Sequence, residues 1–151
     1  MKVFEDYFSE LQSDIVSVCL EYVENRAEKI YILCSHEDGV ISNSWFYKLN
    51  NTIVHKHKLN EVIGEGERQF DVSVDRQRAV LKIIQQDIKE ISNLCKKYSR
   101  EVPTQIKLVY DIQQNKLSAD IRYDLIYSNK KDKAWLDVFE EWYKEECDSN
   151  I

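Results

Sequence analysis

The sequence predicts an α+β fold: a two-layer sandwich in which an antiparallel sheet of about five strands is covered by two long helices, with an acidic helix added at the C-terminal end. Three observations lead there. Apolar residues recur at helical spacing over 3–25 and 74–98, and they alternate with polar ones over 103–129. Those are the periods of an amphipathic helix and of a half-buried strand. A single shift of 76 residues also lays the first helix–strand–strand pattern on the second, with Phe8 on Ile84, Ile15 on Ile91, Cys19 on Cys95, Ile30 on Ile106 and Tyr47 on Tyr123. This weak internal αββ repeat implies two similar halves sharing one sheet. At 151 residues the chain is read as a single domain over 1–151, with core enough to fold without disulfide staples.

In the first helix Phe4, Phe8, Leu11, Ile15, Val18, Cys19 and Tyr22 step by three and four, so one face is for burial. KIYILC (29–34) is a strand, and the Asp38-Gly39 pair after it signals a tight turn. A second strand then runs from Val40 to Leu49. Asn50-Asn51 tolerate positive φ, which predicts another hairpin and a third strand over Thr52–Leu59. From Asn60 to Val72 the period is lost and two of the three glycines occur, so this stretch is expected to be a mobile loop. The second long helix runs from Val74 to Tyr98 on Val80, Leu81, Ile84, Ile88, Ile91, Leu94 and Cys95, with Ser73 or Asp75 placed to cap it. Pro103 ends the helical region, and two strands follow, joined at Gln113-Gln114-Asn115; the second alternates from Leu117 to Tyr127. Asp132 is the expected N-cap of the last helix. In it Trp135, Val138, Phe139 and Trp142 form one stripe, read as core against the sheet, while Asp137, Glu140, Glu141 and Glu145 lie off it.

Charge narrows the function classes. With 21 Lys plus Arg against 27 Asp plus Glu the net charge is −6, the wrong sign for a general nucleic-acid binder. It is also concentrated: residues 132–151 hold seven acidic and two basic side chains, a net of −5. An opening of MKVFEDYFSEL lacks the apolar run of a secretory signal, no stretch is long and apolar enough to span a bilayer, and a cytoplasmic location is expected. Cys19, Cys34, Cys95 and Cys147 are scattered through apolar patterns, which suits reduced thiols and not a zinc site.

Catalytic signatures are sparse. Gly39, Gly64 and Gly66 form neither a P-loop nor a dinucleotide fingerprint, so no cofactor is expected. His55 and His57 share one side of a strand but lack companions at ligand spacing; a metal-dependent enzyme using His36, His55 and His57 is the weakest reading. Cys34 lies near His36 without a third, orienting group. No enzymatic activity is therefore expected. What remains is an acidic surface with aromatics in it, which suits encounter with a basic protein.

Several segments carry a resemblance. The helix entered by FEDYF, the strand KIYILC, the segment WFYK, and VYDIQQNKLSADIRYDLIYSN followed by EEWYKEE together resemble the YezG-type immunity proteins of bacteria. The resemblance spans most of the chain and implies a cytoplasmic antitoxin that neutralises a secreted nuclease toxin by protein contact. Immunity proteins of contact-dependent inhibition systems are close functional neighbours. The expected partner is a cognate toxin with a basic nuclease domain, with no direct nucleic-acid or membrane binding. The resemblance brings no inhibitory motif; from the acidic C-terminal helix itself, the residues of this chain expected to touch the partner are Asp137, Glu140, Glu141, Glu145 and Glu146, acting as phosphate-like carboxylates, with Trp142 or Tyr143 as an aromatic anchor. The alternative is a non-catalytic adaptor or regulatory module that binds through the other sheet face; exposed Trp45 or Tyr127 beside a docked C-terminal helix would favour it.

Overall fold

The structure, a computed structural model, describes residues 1–150. It is α+β, with three α-helices and five strands in one antiparallel sheet. Helix α1 (Phe4–Tyr22) leads to β1 (Lys29–Glu37), β2 (Val40–Leu49) and the short β3 (Thr52–His55). Helix α2 (Val74–Lys97) leads to β4 (Gln105–Asp111) and β5 (Lys116–Arg122), and α3 (Trp135–Ser149) follows. The strand order is β3-β2-β1-β4-β5, which puts the most continuously apolar strand at the centre.

Local chemistry explains the turns. Asp38 and Gly39 both take positive φ (54° and 77°) in the β1–β2 turn, and Asn50 and Asn51 do so (51° and 62°) in the β2–β3 turn. These left-handed pairs match the right-handed twist of a tight hairpin. Ser73 caps α2, its Oγ accepting from the Arg76 N–H at 3.3 Å.

Register sorts the side chains between two faces. Ile32 sits opposite both Trp45 and Leu108, while its neighbour Tyr31 sits opposite Phe46 and Val109. On one face Ile30, Ile32, Trp45, Tyr47 and Leu108 share a core with Ile15, Cys19 and Tyr22 of α1 and Ile84, Ile88 and Ile91 of α2. Within it the Tyr47 hydroxyl accepts from Trp45 Nε1 (2.7 Å) and donates to the Cys19 carbonyl (2.6 Å), so the polar atoms there are paired. On the other face Tyr31, Leu33, Phe46 and Ile53 pack with Ile126 and with Val138, Phe139 and Trp142 of α3.

That second core departs from the expected two layers. A half-buried sheet would alternate apolar and polar residues, but β1 reads Ile-Tyr-Ile-Leu-Cys, and a strand apolar on both sides needs cover on both. Helix α3 supplies it over β2 and β3. Other boundaries move too. The third strand ends at His55 rather than Leu59, and β5 ends at Arg122 rather than Tyr127. Thr104 ties the strand's end there, its N–H donating to the Arg122 carbonyl (2.9 Å) and its Oγ1 to the Asp124 carbonyl (2.5 Å), and Tyr123 and Leu125 are left exposed.

Residues 60–72 are pinned, contrary to the mobile loop expected. Asn60 exchanges two side-chain hydrogen bonds with the backbone of Phe70, whose buried ring lies 3.8 Å beneath the Arg26 guanidinium, and Arg68 pairs with Glu24. Loss of sequence period marked the absence of regular structure, not the absence of contacts.

Candidate functional site

The anionic surface of α3 is built from its own termini inward. Asp132 is not the N-cap; the helix begins later, behind Ala134, because the Asp137 carboxylate accepts from the Ala134 N–H at 2.8 Å. A carboxylate there also complements the helix dipole. At the far end Asn150 Nδ2 donates to the Asn51 carbonyl (2.9 Å), tying the helix to the β2–β3 turn. Between these ends Val138, Phe139 and Trp142 are buried, and each contributes roughly 1.5–3 kcal/mol of burial.

The expected contact residues separate into three groups. Asp137, Glu140, Glu141 and Glu145 are exposed; the first three, with Asp132, Lys133 and Lys144, line an open hollow of about 430 Å³. Glu146 is half-buried. Trp142 is not on the surface at all: it is 5 % exposed, with its ring edge-on to Phe46 (5.1 Å) and Tyr31 (5.9 Å) and Lys107 Nζ 5.2 Å above it. The stripe spacing that makes Trp142 look like an anchor is the spacing that buries it. Tyr143, half-buried at the margin, is the aromatic group that remains accessible.

Tyr143 is part of a stack. Its ring lies 3.7 Å from that of His55, nearly parallel, with His57 stacked behind at 5.4 Å, and its hydroxyl donates to the Ile53 carbonyl at 3.3 Å. Burial pushes the Tyr143 phenol up to about 12, with the Cys147 thiol beside it a smaller cause. Burial also holds His55 below its ordinary value, against the opposing pull of Glu140, whose Oε2 lies 3.5 Å from His55 Nε2. His57 is lowered by burial and by Lys56 and Lys58. Near pH 7 these imidazoles are mainly neutral, so they do not cancel the Glu140 charge. Glu141, exposed, is paired at 2.9 Å with the half-buried Lys133, a single contact that a competing cation can replace at little cost.

Other candidate chemistry is dispersed. His36 sits opposite Ile41 at the far end of β2 from His55, and among the described residues no three His, Cys, Asp or Glu side chains are placed to hold a metal ion. Cys34 is fully buried in character, and burial pushes its thiol up to about 12, which leaves no thiolate near neutral pH. Trp45 is completely buried and Tyr127 half-buried, so the exposure that would favour an adaptor face is absent from Trp45. Among the described residues no helix is long and apolar enough to cross a membrane.

Two features escaped sequence reasoning. Glu37, 1 % exposed, places Oε1 where it accepts from the N–H groups of Ile126 (2.9 Å), Tyr127 (3.1 Å) and Ser128 (2.8 Å) and from the Ser128 hydroxyl (2.6 Å). It fixes the segment that carries the chain from β5 to α3. The second is Asp87, an acid on the buried face of α2 beside Ile88; its position within the apolar series of that helix was the available signal. No family model and no curated protein matches the chain.

Proposed function

We propose that this protein is an immunity protein: a cytoplasmic, non-catalytic antitoxin that binds a cognate bacterial toxin, expected to be a basic nuclease domain, through the outer face of α3. The observation that carries the reading is the set of exposed carboxylates, Asp137, Glu140, Glu141 and Glu145, on a helix whose inner face is locked into a core. A fixed anionic face suits an active site built to hold phosphates, because arginine and lysine engage carboxylate and phosphate with the same charge-assisted hydrogen bonds. Tyr143, stacked on His55, is placed to act as a rigid aromatic contact at the edge of that face. The resemblance of the FEDYF, KIYILC, WFYK and EEWYKEE segments to YezG-type immunity proteins points the same way.

We also infer that the fold is built on an internal repeat. α1–β1–β2 and α2–β4–β5 are two copies of one αββ unit whose long helices cover the sheet, and α3 is the addition that carries function. The correspondence at a shift of 76 supports it: Ile15 and Ile91, Cys19 and Cys95, and Ile30 and Ile106 all lie in the same core.

The test is a competition assay in which cells expressing the protein are challenged with cells delivering the toxin encoded beside it. Replacing Glu140, Glu141 and Glu145 together by lysine is expected to abolish protection and to weaken binding of the purified toxin domain by about 100-fold or more. A triple variant that keeps the wild-type circular dichroism and urea midpoint yet still protects removes α3 as the inhibitory face.

A further inference from the structure

A second acidic feature lies away from α3, in a groove of about 400 Å³ lined by α1 and α2 alone. Its walls are partly apolar, from Tyr7, Leu11 and Leu94, and two carboxylates meet across it, Asp14 from α1 and Asp87 from α2. Asp87 is 8 % exposed, and its Oδ2 has no hydrogen-bond partner. Such an oxygen is costly while it is charged, because its desolvation is not offset, and a proton shared with the Asp14 carboxyl relieves that cost until a cation takes its place. Among the described residues neither Asp14 nor Asp87 has a salt-bridge partner, whereas Glu10 at the rim is taken by Lys2 (2.6 Å) and Glu90 by Gln86 (3.0 Å).

We infer that this groove binds an organic cation, a guanidinium or primary ammonium on an aliphatic stem, with its charge between Asp14 and Asp87 and its stem along Leu11 and Leu94. Each part of the groove meets a need of that ligand. Paired carboxylates on facing helices suit several N–H donors at once, and the leucines suit methylenes. The Tyr7 ring already carries a cation, Lys2 Nζ at 5.5 Å, which marks the groove mouth as hospitable to positive charge. A divalent metal is a poorer fit, since among the described residues no third ligand joins the pair. The inference does not rest on the toxin reading, because the groove lies on different elements from α3.

Proton linkage adds a signature. Burial first, and Asp14 second, push the Asp87 carboxyl up to about 7, so the pair holds a proton that an entering cation displaces. The other charged groups lining the groove are Glu10 from α1 and Glu90 and Lys97 from α2, with Lys2 bound to Glu10. Affinity for a cation therefore rises with pH across roughly pH 6 to 8.

Titration of the full-length protein with agmatine and with the peptide acetyl-Gly-Arg-Gly-amide, followed by amide chemical shifts at about pH 6 and about pH 8, tests this. At least one probe is expected to saturate with a Kd of about 1 mM or tighter, to shift the amides around Leu11–Asp14 and Asp87–Leu94, and to bind several-fold more tightly at the higher pH. Asp87→Asn should weaken it about tenfold, and Asp14→Asn, at an exposed position, repeats the test should the first variant fold poorly. Equal or tighter binding of agmatine identifies a free amine or guanidine as the ligand; peptide binding about tenfold tighter identifies an arginine presented by a polypeptide. No saturation by either probe to about 10 mM, or unchanged binding by the folded variants, overturns the inference, as does magnesium chloride producing the same shifts at lower concentration.

Discussion

Glu37 and Asp87 are buried acids with opposite electrostatic histories. For Glu37, burial is the largest influence and pushes its carboxyl up, but the four hydrogen bonds to one oxygen together outweigh it and hold it below the usual range. An acid lowered on folding stabilises the native state above its unfolded pKa of about 4.3, and that contribution is lost as pH falls through the lower folded value. Replacing Glu37 by alanine should therefore cost about 3 kcal/mol at pH 7, since it strands buried donors, and should speed hydrogen exchange at Ile126–Ser128. Exchange rates there equal to wild type would show that the segment is held by something else. For Asp87 the sign reverses. Its carboxyl is raised to about 7, so the folded state binds the extra proton and stability declines as pH climbs from about 4 to about 7. Asp87→Asn, which cannot ionise, should flatten that part of the pH–stability curve in urea titrations. Neither role was legible in sequence, because both depend on which distant backbone or helix the carboxylate meets. Glu37 read only as the residue before a turn.

Among the elements, α2 and β2 were legible to within a residue and α1 and β1 to within three, because their apolar spacing and the Asp-Gly and Asn-Asn turns agree with one another. Helix α3 was legible as a helix and its stripe as core; which side of the sheet it covers was not. The run of apolar residues in β1 held that information, since such a strand has no face left for solvent. Trp142 shows how the site was misjudged: successive residues on a helix turn by about 100°, so Trp142 falls on the buried stripe with Val138 and Phe139 while Glu141 falls beyond its edge and stays in water. Trp142→Ala should destabilise by about 3–5 kcal/mol, measured by urea denaturation, because the ring leaves a cavity against Phe46 and Tyr31. Glu141→Gln should change stability by no more than about 0.5 kcal/mol. A Trp142→Ala protein as stable as wild type would mean that α3 contributes little to the fold, and a binding face mounted on it would then be poorly fixed.

On the scale of the whole molecule, charge is separated by element. The segment from residue 132 onward carries a net −5 of the total −6, so the rest of the surface is close to neutral. A basic partner of the kind proposed is thus drawn to the sheet face that α3 covers, and the pull is screened over about 10 Å at 0.1 M salt. The association rate with the toxin domain proposed as partner, measured by stopped flow, should fall about tenfold or more between low salt and roughly 0.5 M salt, while the dissociation rate changes much less. An association rate indifferent to salt would point to an apolar interface instead. Total charge and its clustering were plain in the sequence. The strand order was not, because hairpins β1–β2 and β4–β5 can each form locally in several arrangements, and only the long-range pairing of β1 with β4 selects one.

That central pairing also has a temporal side. Ile30 finds Tyr110 across the sheet, eighty residues further along the chain. On a ribosome adding about 5–20 residues per second, β1 emerges roughly 4 to 16 s before its second neighbour exists. During that interval its most apolar edge is open, shielded on one side by β2 and on the other by nothing that the sheet provides. The strand that makes the finished fold secure is therefore the one most in need of protection while the fold is being made.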